Sequence, residues 1–379
     1  MATDLTWTGS PGSYAWALLG RAFSIRGTAM RPNILLMAKL VTLDFIFSGQ
    51  IVMLSRHLVP FIGFFRHVGS PSAFHLALLL IFLVAAASLF LNRHVRVACV
   101  VLGMVVVVSI ASSMKYYENN REYTALLLVL AGLDDPDGDS WVLRWQVVLL
   151  YFAAAVNKVL LAEWRDGYFF QAWMSYLHHA AWPKVAGLFG DRVLGALLAW
   201  MAIGTEFALS IGFALRRHVP VLIWVGVAYH TTLVLVMNRS FGMFWIAAPS
   251  AYLAFVTWPT EPLPVRFGQE LGRLGRWVSV LKRLDFEGAF RWQPVPQGEL
   301  EISVHGRTHR AWRALVWILL CNPVSYFVVA FFAALPQPEP RAMALIVFAI
   351  LGAIALSAFA ERREGLHGAA MPATGSVNA

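Results

Sequence analysis

The stretch "VVLLYFAAAVNKVLLAEWRDGYF", residues 147–169, decides how the rest of the chain is read. It starts as an apolar helix long enough to cross hydrocarbon, then sets Asn157 and Lys158 side by side before polarity returns. A charged side chain at the bilayer centre costs about 2.5–3.5 kcal/mol on insertion scales. Lys158 therefore needs a reason to be there. One reason is snorkelling, because a lysine near the end of a span can reach the interface on its flexible stem. Three neighbours point to a packed interior instead. Ala153, Ala154 and Ala155 allow another helix to come close. Tyr151 lies two turns earlier on the same face as Lys158. Asn157 is an unusual choice for a stem in lipid.

Composition sets the class. Of 379 residues 59% are hydrophobic and 13% charged, with a mean hydropathy of +0.63, whereas soluble domains carry about 25% charged residues. This is the composition of a polytopic membrane protein, and the 15 Trp and 26 Phe suit interfacial belts and packed helices. The net charge of +9 fits arginine in cytoplasmic loops rather than a nucleic-acid surface. Cys99 and Cys321 stand far apart in apolar runs. Without a CxxC, a dithiol redox centre and a cysteine zinc site are both excluded, and no metal is expected. Asp4, Arg21 and Arg26 break the first 30 residues, which do not read as a cleavable signal peptide.

Apolar windows of membrane length fall at 33–54, 72–92, 95–114, 142–162, 193–215, 218–237, 241–258, 313–335 and 342–360, and 122–133 is a shorter, ambiguous run. The expected fold is an all-α polytopic transmembrane bundle of nine or ten spans. A small polar α+β segment, 259–312, precedes the last pair, 313–362. The flanks are a cytoplasmic segment, 1–30, and a disordered tail, 363–379. With Arg21, Arg26 and Arg31 in the cytoplasm and 122–133 crossing, Arg93, Arg96, Arg216, Arg217, Arg362 and Arg363 also fall inside. Both termini are then cytoplasmic. If 122–133 does not cross, the second half inverts and the arginine bias worsens. Residues 163–190, aromatic and amphipathic with two histidines, are expected to lie along the interface.

Other spans hold costly groups as well. Lys39 and Asp44 sit five residues apart, off a common face, and read as structural. Glu206 and His230 are central in their spans, beyond the reach of snorkelling. Their helices are joined by a tight turn and must be antiparallel neighbours, so a Glu206–His230 clamp would satisfy both. A functional role is the other reading.

Taken together, these residues resemble the HTTM domain, the membrane module shared by vitamin K-dependent gamma-glutamyl carboxylase and many bacterial proteins. The resemblance covers about residues 30–258. Its central motif, Y-F-x-A-G-x-x-K followed by W-x-x-G and an aromatic run, is matched by Tyr151, Phe152, Ala154, Lys158, Trp164, Gly167 and Tyr168, with Glu206 and His230 on later helices. The resemblance implies Lys158 as the base that deprotonates a reduced, vitamin K hydroquinone-like quinone, with Tyr151, Asn157, Glu206 and His230 in support. Oxygen and CO₂ chemistry would follow. The chain departs from the pattern at Ala155, where the family has Gly, and has nothing to match the carboxylase's lumenal domain. Residues 278–336 also resemble the rear of DCC thiol-disulfide oxidoreductase domains, without their CxxC.

Two functions follow as expectations for a bacterial inner-membrane protein. One is an enzyme acting on a lipophilic quinone through Lys158. The other is a non-enzymatic scaffold or small-molecule binder in which the same polar residues are structural clamps. The expected partners are the lipid bilayer and a lipophilic small molecule, not nucleic acid. The environment of Lys158 discriminates: a base needs a cavity with few acidic neighbours, and a clamp pairs directly with a carboxylate.

Overall fold

The computed structural model describes residues 11–177, 182–237, 242–268, 273–304, 306–335 and 352. The chain is mostly helical, with one small sheet. Among the described residues four unbroken helices are long and apolar enough to cross a membrane: α3 (Pro71–Phe90), α4 (Val95–Ser112), α6 (Trp141–Leu160) and α10 (Asp191–Ala214). Their inner stripes are packed while their outer faces stay apolar and bare, with Val84 70% and Met201 67% exposed. Outward apolar faces on several helices at once are what a lipid surround requires.

The window at 33–54 is shorter as a helix than its hydropathy suggests. It begins after α1 (Pro11–Phe23) as α2 (Pro32–Phe47) and then breaks into a 3-10 turn, Gln50–Met53. Gly49, at φ +79, ends it in a left-handed conformation that glycine adopts without penalty. Every residue of α2 from Asn33 to Phe45 is buried, so it forms the centre of the bundle. The ambiguous run 122–133 belongs to α5 (Asn119–Leu133), a largely buried helix packed along α4.

The 313–335 window is also not one straight helix. It is α14 (Ala311–Leu320) followed by α15 (Pro323–Ala334), bent by 75° at the break. Asn322 accepts a hydrogen bond from the Val324 N–H at 3.0 Å and Pro323 occupies the first helical position, a capping pair that starts a new helix. The apolar runs at 218–237 and 241–258 form α11 (Val219–Met237) and α12 (Gly242–Ala251), the latter continued by a 3-10 turn to Phe255. Residues 336–351 and 353–379, including the 342–360 window, lie outside the described residues, as do His178, His179 and Arg239.

Three short helices, α7 (Ala162–Arg165), α8 (Tyr168–Tyr176) and α9 (Trp182–Phe189), lie between α6 and α10 in the chain. The polar segment forms a four-stranded sheet from β1 (Leu263–Gly268), β2 (Phe290–Val295), β3 (Glu301–Val304) and β4 (Arg307–Arg310) in the order β2-β1-β3-β4. β1 and β2 are parallel and joined through α13 (Arg273–Arg283), while the other pairs are antiparallel. Its core of Val265, Leu300, Ile302 and Val304 is completed by Ala314 and Ile318 of α14. So the first half of the 313–335 window covers the sheet.

Two polar anchors tie distant segments together. Glu287, just before β2, accepts hydrogen bonds from the backbone N–H groups of Ile25 and of Arg26 (2.9 Å) and from the Ser24 hydroxyl at 3.2 Å. At one end of the bundle Arg31 donates to Asp134 at 2.5 Å and to the Gly138 carbonyl at 2.8 Å, and Asp139 is bound by Arg144 and, at 2.6 Å, by Arg216. Three arginines thus hold the acidic loop 134–139.

Candidate functional site: two polar clusters and an aromatic cavity

Lys158 points from α6 at α10. Its Nζ lies 2.7 Å from each carboxylate oxygen of Glu206, and the Tyr229 hydroxyl of α11 donates to Oε1 at 2.7 Å. The pair is largely buried, with side chains 15% and 6% exposed. The ring of Trp164 covers the ammonium at 5.0 Å and stacks on Phe169 at 4.0 Å. Ser210 of α10, donating to the Val148 carbonyl at 3.0 Å, fixes the register of α6 against α10. The motif glycine has a packing reason. Gly167, at φ +80, approaches α10 so closely that a Cβ on it would sit 2.3 Å from the Ala196 nitrogen.

One residue along α11, His230 belongs to a second cluster. Its Nε2 is 2.6 Å from the Tyr151 hydroxyl, which also bonds the Tyr252 hydroxyl after α12. All three side chains are buried. Gly226 makes the room: a Cβ there would meet the Tyr252 hydroxyl at 2.3 Å. Thr231 accepts from the Trp245 indole at 3.0 Å. The structure therefore replaces the expected Glu206–His230 clamp with two separate pairs. Consecutive helix residues point about 100° apart, so Tyr229 takes the face toward α10 while His230 turns to α6 and the turn after α12.

Of the five singled-out residues, Lys158 and Glu206 meet directly, Tyr151 and His230 meet directly, and Asn157 joins neither pair. Asn157 is exposed on α6, and among the described residues its side chain makes no hydrogen bond. Tyr229 and Tyr252 are the members that hydropathy did not flag. A tyrosine beside a buried histidine was a readable hint for the first; nothing local marks the second. Lys39 is fully buried, and its Nζ donates to the carbonyls of Ala22 at 2.9 Å and Ser24 at 2.6 Å, capping the C-terminal end of α1.

Tyr252 also borders a cavity of about 630 Å³ between the helices and the sheet. Trp224, Val227 and Trp245 wall its helical side, and Val304, Arg307, His309 and Trp317 its sheet side. Lys158 is not among the lining residues. Arg307 is exposed and His309 half-buried on the sheet side, Pro220 and Thr257 are exposed on the helical side, and Leu40, Trp245 and Tyr252 are buried. Burial, then the charges of Arg307 and Arg313, hold His309 below its ordinary value. Among the described residues no three His, Cys, Asp or Glu converge as a metal site.

No protein-family model, curated protein or solved structure matches this chain.

Proposed function

We propose that this is a multi-pass membrane protein that binds a lipophilic small molecule in the aromatic cavity, its intramembrane polar residues serving as clamps between helices. The observation that carries the proposal is the Lys158–Glu206 pair. A general base must reach the proton it removes, directly or through one water. Lys158 instead spends its donors on both oxygens of Glu206 and lies outside the cavity wall. The cavity has the size of pockets that hold drug-sized ligands, about 300–1,000 Å³, and an apolar, aromatic lining. Nine or ten crossings of a bacterial inner membrane with both termini in the cytoplasm complete the proposal. The shared location of Arg31, Arg144, Arg216 and the acidic loop at one end supports that orientation.

A second reading keeps the HTTM-type, carboxylase-like chemistry, with Lys158 as base on a reduced quinone. What favours it is the hydroxyl chain from Tyr252, at the cavity wall, through Tyr151 to His230, a ready path for a proton leaving a bound ligand. Hydroquinone-dependent oxygen uptake separates the two in membranes carrying the wild-type protein or Lys158→Met. The binding reading expects no uptake from either and equal retention of a lipophilic probe by both. Uptake by the wild type that vanishes in Lys158→Met overturns it.

A further inference from the structure

The cavity's wall is mostly apolar, yet Arg307, His309 and Trp258 bring cations and donors to it. Arg307 on β4 is exposed, and among the described residues its guanidinium has no ion pair or side-chain hydrogen bond. Two residues along the strand, its side chain on the same face of the sheet, His309 packs on Trp317 with ring centroids 5.2 Å apart. Trp258 borders the same cavity from the helical side, 6% exposed, and its indole N–H is buried without a partner among the described residues. A buried donor left unmatched is costly, and native proteins rarely leave one without a reason. Because Trp258 borders the cavity, a ligand oxygen bound at this end would be the acceptor its N–H lacks. Beyond it the wall turns wholly apolar at Trp224, Val227 and Ile246. Nothing acidic lines the cavity among the described residues, so a negative head group meets no repulsion there.

We infer that the cavity takes an anionic amphiphile: an acidic head group held at Arg307, His309 and the Trp258 N–H, and an acyl chain lying among Trp224, Trp245 and Tyr252. This rests on the small-molecule-binding reading and names the ligand class. The head could be the carboxylate of a free fatty acid or the phosphate of an acidic lipid, since both offer charged oxygens to a guanidinium.

The test is tryptophan quenching of the full chain in neutral detergent by brominated stearic acid and by brominated stearyl alcohol, which has the same chain without the charge. A charge-assisted hydrogen bond predicts saturable quenching by the acid at concentrations at least about tenfold lower than by the alcohol. Arg307→Gln, on an exposed strand position, should bring the acid to the alcohol's level while leaving the alcohol unchanged. Equal affinity of acid and alcohol for the wild type overturns the acidic-head inference and leaves the binding reading standing. Saturable quenching by neither overturns both. Brominated phosphatidylglycerol in nanodiscs, run beside the acid, decides the source: quenching above that from brominated phosphatidylcholine assigns the phosphate, and quenching by the acid alone assigns the carboxylate.

Discussion

Two lysines are buried in the helical part of this protein, and it satisfies them in opposite ways. Lys39, in the middle of α2, meets the backbone carbonyls left open at the end of α1. Lys158, near the end of α6, meets a carboxylate from α10 under a tryptophan ring. The first cation is neutralised by a helix dipole and by bonds the carbonyls would otherwise lack. The second is neutralised by a full opposite charge, which makes each member of the pair dependent on the other. A buried lysine is therefore not a functional residue by virtue of burial. What faces its ammonium decides.

That contrast can be broken by substitution. Lys158→Met leaves Glu206 buried with only Tyr229 to bond, and uncompensated buried charges cost about 3–5 kcal/mol. It should give the largest fall in thermal stability in detergent, and Glu206→Gln should restore much of it in the double variant. Lys39→Met should cost about 1.5–3 kcal/mol, the worth of a charge-assisted hydrogen bond. Glu206→Gln should not rescue it, because its hydrogen-bond partners are backbone carbonyls. Rescue by that change would mean that the two lysines are held alike after all.

Smaller effects sharpen the picture. Tyr229→Phe removes one donor from Glu206, and Tyr151→Phe removes the link between His230 and Tyr252, each worth about 0.5–1.5 kcal/mol. Tyr229→Phe should add little in a Glu206→Gln background, whereas Tyr151→Phe should cost the same there. Smallest is a pH effect at the sheet anchor. Burial raises Glu287 above its ordinary 4.5, more than the bonds from Ile25, Arg26 and Ser24 lower it. A carboxyl raised in the folded state contributes stability fully below pH 4.5 and loses it as pH climbs through the raised value. Glu287→Gln, neutral throughout, should therefore gain on the wild type between pH 4 and pH 7 in melting temperature. A constant difference across that range would contradict the assignment.

Much of the helical layout can be read from the residues themselves. The apolar windows, the Ser70–Pro71 start of α3 and the Asn322–Pro323 capping pair are local signals, although the last was hidden inside an uninterrupted hydropathy peak. Gly49 likewise marks the end of α2 only when its backbone freedom outweighs the apolar residues that follow. The costly residues Lys158, Glu206 and His230 stand out by composition, but their partners do not. Choosing Tyr229 over His230 for Glu206 needs the rotation of α11 about its axis, which a uniformly apolar helix leaves unspecified. The cavity is further from view. Trp224, Tyr252, Arg307 and Trp317 come from four elements, brought together only because α14 folds back over the sheet.

The most direct measurement is a double-mutant cycle on Lys158→Met and Glu206→Gln, read by thermal unfolding in detergent with retention of a lipophilic probe measured alongside. A structural clamp gives strong coupling: the double variant melts above the Lys158→Met protein and still binds the probe. Independent residues give additive losses, and a double variant no more stable than its parents, with probe binding lost, would contradict the clamp and return Lys158 to the site of action.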